Sequence, residues 1–170
     1  DALVIAHCRT GHSRYIGIYQ LMYGRPVHIT RRTFASSRSR HDLGEISDVR
    51  HYTAGASLSF GTVPVETIPT PHDAVDGVAF VVDDGRCRLG ILTDLGHVFE
   101  GLQAVIASLD AVLVESNYDP VMLSEGFYPE MLKRRIRGSG GHLSNNEAAL
   151  GGAEAPVGLP GAPVRGEQHA

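Results

Sequence analysis

The sequence predicts an α/β domain with its layers arranged as in α+β folds: a mixed sheet with flanking helices. Three observations carry this. The chain opens on the continuous apolar run DALVIA, bounded by a polar loop, as expected of a strand buried on both faces. A helical pattern and a second strand, VHIT, follow directly. Further on, VPVETIPTPH alternates, and VAFVVDDGRCRLGILTD reads as two strands turning at Asp84 and Gly85.

Taken in order, DALVIA is the first strand. From Ser13 a helix is expected, with Tyr15, Ile18, Tyr19 and Met22 at helical spacing and Gly24 as a left-handed cap before Arg25 and Pro26. VHIT then makes a parallel pair with the first strand, and the loop at residues 7 to 17 falls at the carboxyl end of the sheet, where ligands bind in such folds. Residues 31 to 61 are polar and turn-rich, giving at most a short helix near Thr33 and a strand near Val49. After the hairpin come a helix from about Val98 to Leu109, the strand AVLVES, and helical text beyond Asp119, with basic residues toward the end of the stretch from Tyr128 to Arg137. GSGG ends it. Ser144 and Glu147 have capping-box spacing for a last helix. Residues 1–150 form the expected domain, and 151–170, rich in Gly, Ala and Pro, read as a disordered tail.

At 170 residues and 42% hydrophobic content the chain can bury one core, too little for two ordinary domains. It contains no apolar run long enough for a membrane span and does not open on a leader pattern, which gives a cytoplasmic expectation. Cys8 and Cys87 form no C-x-x-C motif and read as two small, buried, reduced thiols. The net charge of -4 gives no global attraction to nucleic acid. Arg25, Arg31, Arg32, Arg38, Arg40 and Arg50 nevertheless crowd one segment, which is either a phosphate-contacting patch or a solvated loop.

Imidazoles and carboxylates stand at the ends of the expected strands: His7 and His12 after the first, His72 in PHDA, Asp94 in ILTDLG. Such ligands converge, and they suit zinc, manganese or iron in metal-assisted hydrolysis. The motifs HCRTGH (7–12), PHDA, TDLG, ESNYDPVML, GFYPEMLKRRI and GHLSN resemble those of the metallo-β-lactamase fold superfamily, and within it the YycJ/WalJ-type hydrolases, bacterial nucleases. The resemblance runs from Asp1 to about Leu150. It implies part of an αββα sandwich, lacking the family's leading sheet and its final histidine segment, with an uncovered sheet face that invites self-association.

The resemblance also implies site roles. His7 and His72 match ligands of a first metal, His12 a ligand of a second, and Asp94 the bridging carboxylate. His142 matches a histidine near the reaction centre of related nucleases, which makes it, with Asp94, a catalytic candidate. The family's H-x-H-x-D-H pattern is broken here: Arg9 stands in place of a first-metal histidine and Gly11 in place of the second-metal aspartate. An arginine keeps its proton and cannot be a ligand, so its charge is expected to ion-pair beside Asp94 in the cation's stead. At most one weakly bound zinc or manganese ion is expected. Two readings follow: a metal-dependent phosphodiesterase or nuclease acting on single-stranded DNA or RNA and impaired at Arg9 and Gly11, or a non-catalytic remnant or nucleic-acid-binding module of the same fold.

Overall fold

The computed structural model describes residues 1–153, without the side chains of Thr10, His12 and residues 151–153. Along the chain, β1 (Leu3–Val4) leads to a single helical turn, α1 (Thr10–Ser13), and to α2 (Ile16–Tyr23). Gly24 ends α2 at φ 61°, the left-handed cap the sequence predicts, and its N–H donates to the Gln20 carbonyl. The helix is turned differently from its apolar stripe. Ile16, Gly17 and Gln20 face inward, while Tyr15, Ile18, Leu21 and Met22 are exposed. Gly17 permits the packing, since a Cβ there would lie 2.0 Å from the Leu43 carbonyl oxygen. Buried Gln20 earns its place by binding backbone: its amide donates to the Asp48 carbonyl and its oxygen accepts from the Ser47 N–H.

β2 (Val27–Thr30) pairs in parallel with β1. Next comes α3 (Arg31–Arg40), a full helix where only a short one was expected, and then β3 (Val49–Tyr52), parallel to β2. The helix escapes a hydropathy reading because its inward face is polar. Thr33 and Ser37 are its buried residues, and its start is fixed by the Thr30 hydroxyl accepting from the Thr33 N–H. The second sheet runs in chain order: β4 (Ser57–Phe60), β5 (Val63–Pro69), β6 (Val78–Asp83) and β7 (Arg88–Leu92) are antiparallel, and β8 (Ala111–Val114) is parallel to β7. α4 (Leu102–Ala107) makes the crossover between β7 and β8, shorter than the expected span because Gly101 caps its start at φ 89°.

α5 (Pro120–Glu125) is capped by the Asp119 carboxylate, and α6 (Glu130–Arg137) ends on its basic residues. α7 (Asn145–Ala153) starts on the expected capping box, Ser144 N–H to Glu147 at 2.9 Å and Glu147 N–H to Ser144 Oγ at 3.3 Å. It takes in residues 151–153 of the expected tail; residues 154–170 lie outside the described residues.

The architecture is α/β with layered, helix-flanked sheets, but the strands divide between a three-stranded parallel sheet and a five-stranded mixed one. Ala6, Tyr52 and Val78 join the two, packed against Val4, Leu58 and Phe80. Ala79, Leu92, Leu95, Leu102, Ile106, Val114 and Leu143 make the core of the larger sheet, each large side chain contributing about 1.5–3 kcal/mol. Ile5, Ile16, Val27 and Ile29 make that of the smaller. Cys8 is buried, but Cys87 is exposed because it closes the β6–β7 turn; both are free. Among the described residues, the large apolar side chains left exposed lie mainly on α2 and the α5–α6 region (Met122, Phe127, Met131), with Leu89 the one strand residue. The exposed apolar surface is thus helical more than it is a sheet face. No helix among the described residues is long and apolar enough to cross a membrane.

Candidate metal centre

Four site residues sit where strands end, and His142 comes from the segment between α6 and α7. His7 follows β1 through buried Ile5 and Ala6, His72 follows β5, Asp94 follows β7 and Glu115 follows β8. Strand ends from both sheets bring their donors together. Ligand atoms of His7, His72 and Asp94 lie within 4.8 Å of one another, and a second group of Asp94, Glu115 and His142 shares the aspartate. His12 stands in α1, with its side chain outside the described residues.

The hydrogen bonds define a protonation pattern. His72 Nδ1 donates to the Gly141 carbonyl at 2.8 Å, so the lone pair is on Nε2, 3.6 Å from Asp94 Oδ1. Burial lowers the His72 pKa, with Arg9 and His142 adding to the effect against the opposing pull of Gly141 and Asp94, and this keeps the ring neutral. His7 Nδ1 accepts from the Arg9 N–H at 3.2 Å, which places its proton on Nε2, 3.0 Å from Asp94 Oδ2. Asp94 itself has φ 53°, a backbone region that costs a non-glycine residue about 1 kcal/mol or more. The strain is held by the next residue: Leu95 is fully buried, and its N–H donates to Glu115 Oε2 at 3.0 Å.

Arg9 does reach the ligand group, but not as the sequence suggests. Its guanidinium pairs with Asp73 rather than Asp94, and its Nε donates to His72 Nε2 at 3.0 Å. The reason is reach: Asp73 directly follows His72 and is held on its far side by Arg135 at 2.9 Å. Arg9 therefore caps the lone pair a cation would use. Gly11 is exposed and leaves open space where a Cβ would stand.

Two functional-site residues escaped the sequence reading. Glu115 is 7% exposed and binds the Leu95 and Leu143 N–H groups and His142 Nδ1. His142 is thereby set 3.9 Å from Asp94 Oδ1. The available signal was position, a carboxylate directly after an apolar strand, as at Asp94. Asp73 is the other. Burial raises its pKa, but hydrogen bonds and charge from Arg135 and Arg9 outweigh this and bring it to about 2. A depressed carboxyl pKa contributes stability that is present above its ordinary value and lost as pH falls through the folded one. The Arg9–Asp73–Arg135 clamp is accordingly expected to stay closed from neutral pH down to about pH 4 and to open toward about pH 2. Carboxyl carbon shifts of Asp73 across an acid titration check this, and a midpoint at an ordinary carboxylate value contradicts it.

The donor set fits a divalent cation: two imidazoles and a carboxylate, with one imidazole oriented by a backbone carbonyl. Binding would require the Arg9 guanidinium to leave His72 and the His7 proton to leave Nε2.

No protein-family model matches the chain. It is 30% identical over 156 residues to exodeoxyribonuclease YycJ of Bacillus anthracis, covering 91% of this chain and 58% of that protein. It is 32% identical over 153 residues to exodeoxyribonuclease WalJ of Streptococcus pneumoniae, covering 88% and 56%. Among solved structures it superposes on the metallo-β-lactamase fold protein YhfI of Bacillus subtilis with a TM-score of 0.67 at 18% identity, covering 91% of this chain and 60% of that one. The chain spans a little over half the length of the curated relatives it matches.

Proposed function

Since the chain belongs to the metallo-β-lactamase fold superfamily and within it to the YycJ/WalJ type, we propose that it is a metal-dependent phosphodiesterase of nuclease type, impaired at Arg9 and Gly11. The observation that carries the proposal is the convergence of His7, His72 and Asp94 from three strand ends, with His142 and Glu115 sharing the aspartate. In this reading His7, His72 and Asp94 hold one zinc or manganese ion weakly, and His12 belongs to a second, depleted site. An ion held there would supply Lewis-acid polarisation of a phosphodiester oxygen. His142, its Nδ1 held by Glu115, is placed beside Asp94 to hold or release a proton at its other nitrogen. Arg9 competes with the cation for His72 and keeps occupancy low.

The substrate in this proposal is a single-stranded DNA or RNA in the cytoplasm, and the exposed apolar side chains of α2, α5 and α6 support self-association. The arginine segment keeps the second reading, a nucleic-acid-binding module without catalysis, in play. Elemental analysis of the purified chain, with hydrolysis of bis-p-nitrophenyl phosphate and of single-stranded DNA with and without chelator, separates the two. The hydrolase reading expects at most one weakly held ion per chain and slow, chelator-sensitive turnover. DNA binding with neither metal uptake nor turnover sinks it in favour of the binding module. Light scattering on the same sample reads the association, which a monodisperse monomer contradicts.

A further inference from the structure

We propose that a cavity at the carboxyl edge of the three-stranded sheet binds a non-scissile phosphate of the nucleic-acid strand presented to the metal-ligand group. The inference rests on the nuclease reading above and adds to it a substrate-holding subsite. The cavity has a volume of about 420 Å³, and Thr30, Arg31, Arg32, His51, Thr53 and Asp76 are among the residues lining it.

The charges select an anion. Asp76 is the one carboxylate of the lining, and it is already engaged, accepting from Arg32 at 2.7 Å and from the Thr30 hydroxyl at 2.9 Å. A cation would find no free acidic ligand there. Arg31 makes no ion pair with any described residue, so the lining carries an unbalanced guanidinium, a fixed cation suited to phosphate oxygens. Other arginines of the same segment are committed: Arg25 to Asp1 at 3.4 Å, Arg50 to Asp48 at 3.0 Å, and Arg38 over the Phe34 ring. The arginine segment is therefore not a uniform patch, and Arg31 brings one unpaired positive charge of it to this cavity. Asp76 holds Arg32 from a backbone at φ 48°, a strained conformation in which its carboxylate fixes that guanidinium at the cavity wall.

The location suits a strand crossing both sites. His72 and Asp76 are four residues apart in one loop, so their Cα atoms are at most about 14 Å apart. At ~3.4 Å of rise per nucleotide along one strand of a duplex, this spans about four nucleotides. Thr33 Oγ1 donating to the Val75 carbonyl at 2.8 Å ties the loop to α3.

The test uses the full chain in chelator, so that binding is read without hydrolysis. Anisotropy of a fluorescein-labelled single-stranded oligonucleotide is measured across salt concentrations for the parent, Arg31→Ala and Arg25→Ala. Arg31→Ala is expected to weaken binding about 5- to 10-fold and to reduce the salt slope by about 1, while Arg25→Ala stays within about twofold. His51 ring NMR signals should shift with the oligonucleotide and, more weakly, with inorganic phosphate. Equal losses in the two variants, an unchanged Arg31→Ala, or no binding by the parent overturns the proposal. A His51 response to inorganic phosphate but not to the oligonucleotide also overturns it, in favour of a free-anion site. If Arg31→Ala loses binding but the parent never hydrolyses substrate with zinc or manganese, the nuclease reading fails and the subsite stands.

Discussion

Replacing Arg9 by histidine together with Gly11 by aspartate is expected to raise zinc or manganese affinity on the order of 100-fold, with little gain in turnover. The first change removes the guanidinium that donates to His72 Nε2 at 3.0 Å, freeing a neutral imidazole and withdrawing a fixed positive charge from a cation site. It also offers a third imidazole beside His7 and His72. The second change meets no steric barrier, because a Cβ at Gly11 has nothing within 4 Å. Turnover lags because adding ligands does not by itself orient a nucleophile and substrate; that depends on the shell around them. Isothermal titration with metal, alongside hydrolysis of single-stranded DNA, reads both halves. Two tightly bound ions on the unaltered chain, or an unchanged affinity in the double variant, would show that Arg9 and Gly11 are not what limits the site.

The second large effect is on folding. Glu115→Ala is expected to cost about 3–5 kcal/mol, because it strips a buried carboxylate from two backbone N–H groups, those of Leu95 and Leu143, and from His142. Glu115→Gln retains an oxygen for the two N–H groups and should cost far less, about 1–2 kcal/mol. Urea unfolding compares the three proteins. A Glu115→Ala protein within about 1 kcal/mol of the parent would mean that water replaces the carboxylate, and that Glu115 is not the residue pinning the Asp94 turn.

Much of this was legible in the residues. The hairpin turn at Asp84 and Gly85, the Gly24 cap and the Ser144–Glu147 box are local patterns, set by neighbours within a few positions, and each is present as read. The placement of His7, His72 and Asp94 was legible because a strand end is a fixed place in a sheet. Less local features were not. Nothing in the text says that β3 and β4 part into separate sheets, since pairing depends on which faces meet in three dimensions. α3 hides behind Thr33 and Ser37, polar residues that face inward, Thr33 through a hydroxyl that donates to the Val75 carbonyl. The pairing of Arg9 with Asp73 is set by side-chain placement in three dimensions, which spacing does not encode.

The Arg9 guanidinium also bears on how the chain lives with changing metal supply. A protein folded around an ion gains stability as the free ion concentration rises above its dissociation constant, and loses it when the ion is scarce. Here a covalently attached positive charge, clamped by Asp73, already stands at the histidine that a cation would occupy. It cannot be chelated or diluted away. Folding is thereby expected to depend little on metal availability, because a weakly held ion adds little stability, while the occupancy of the site follows the supply.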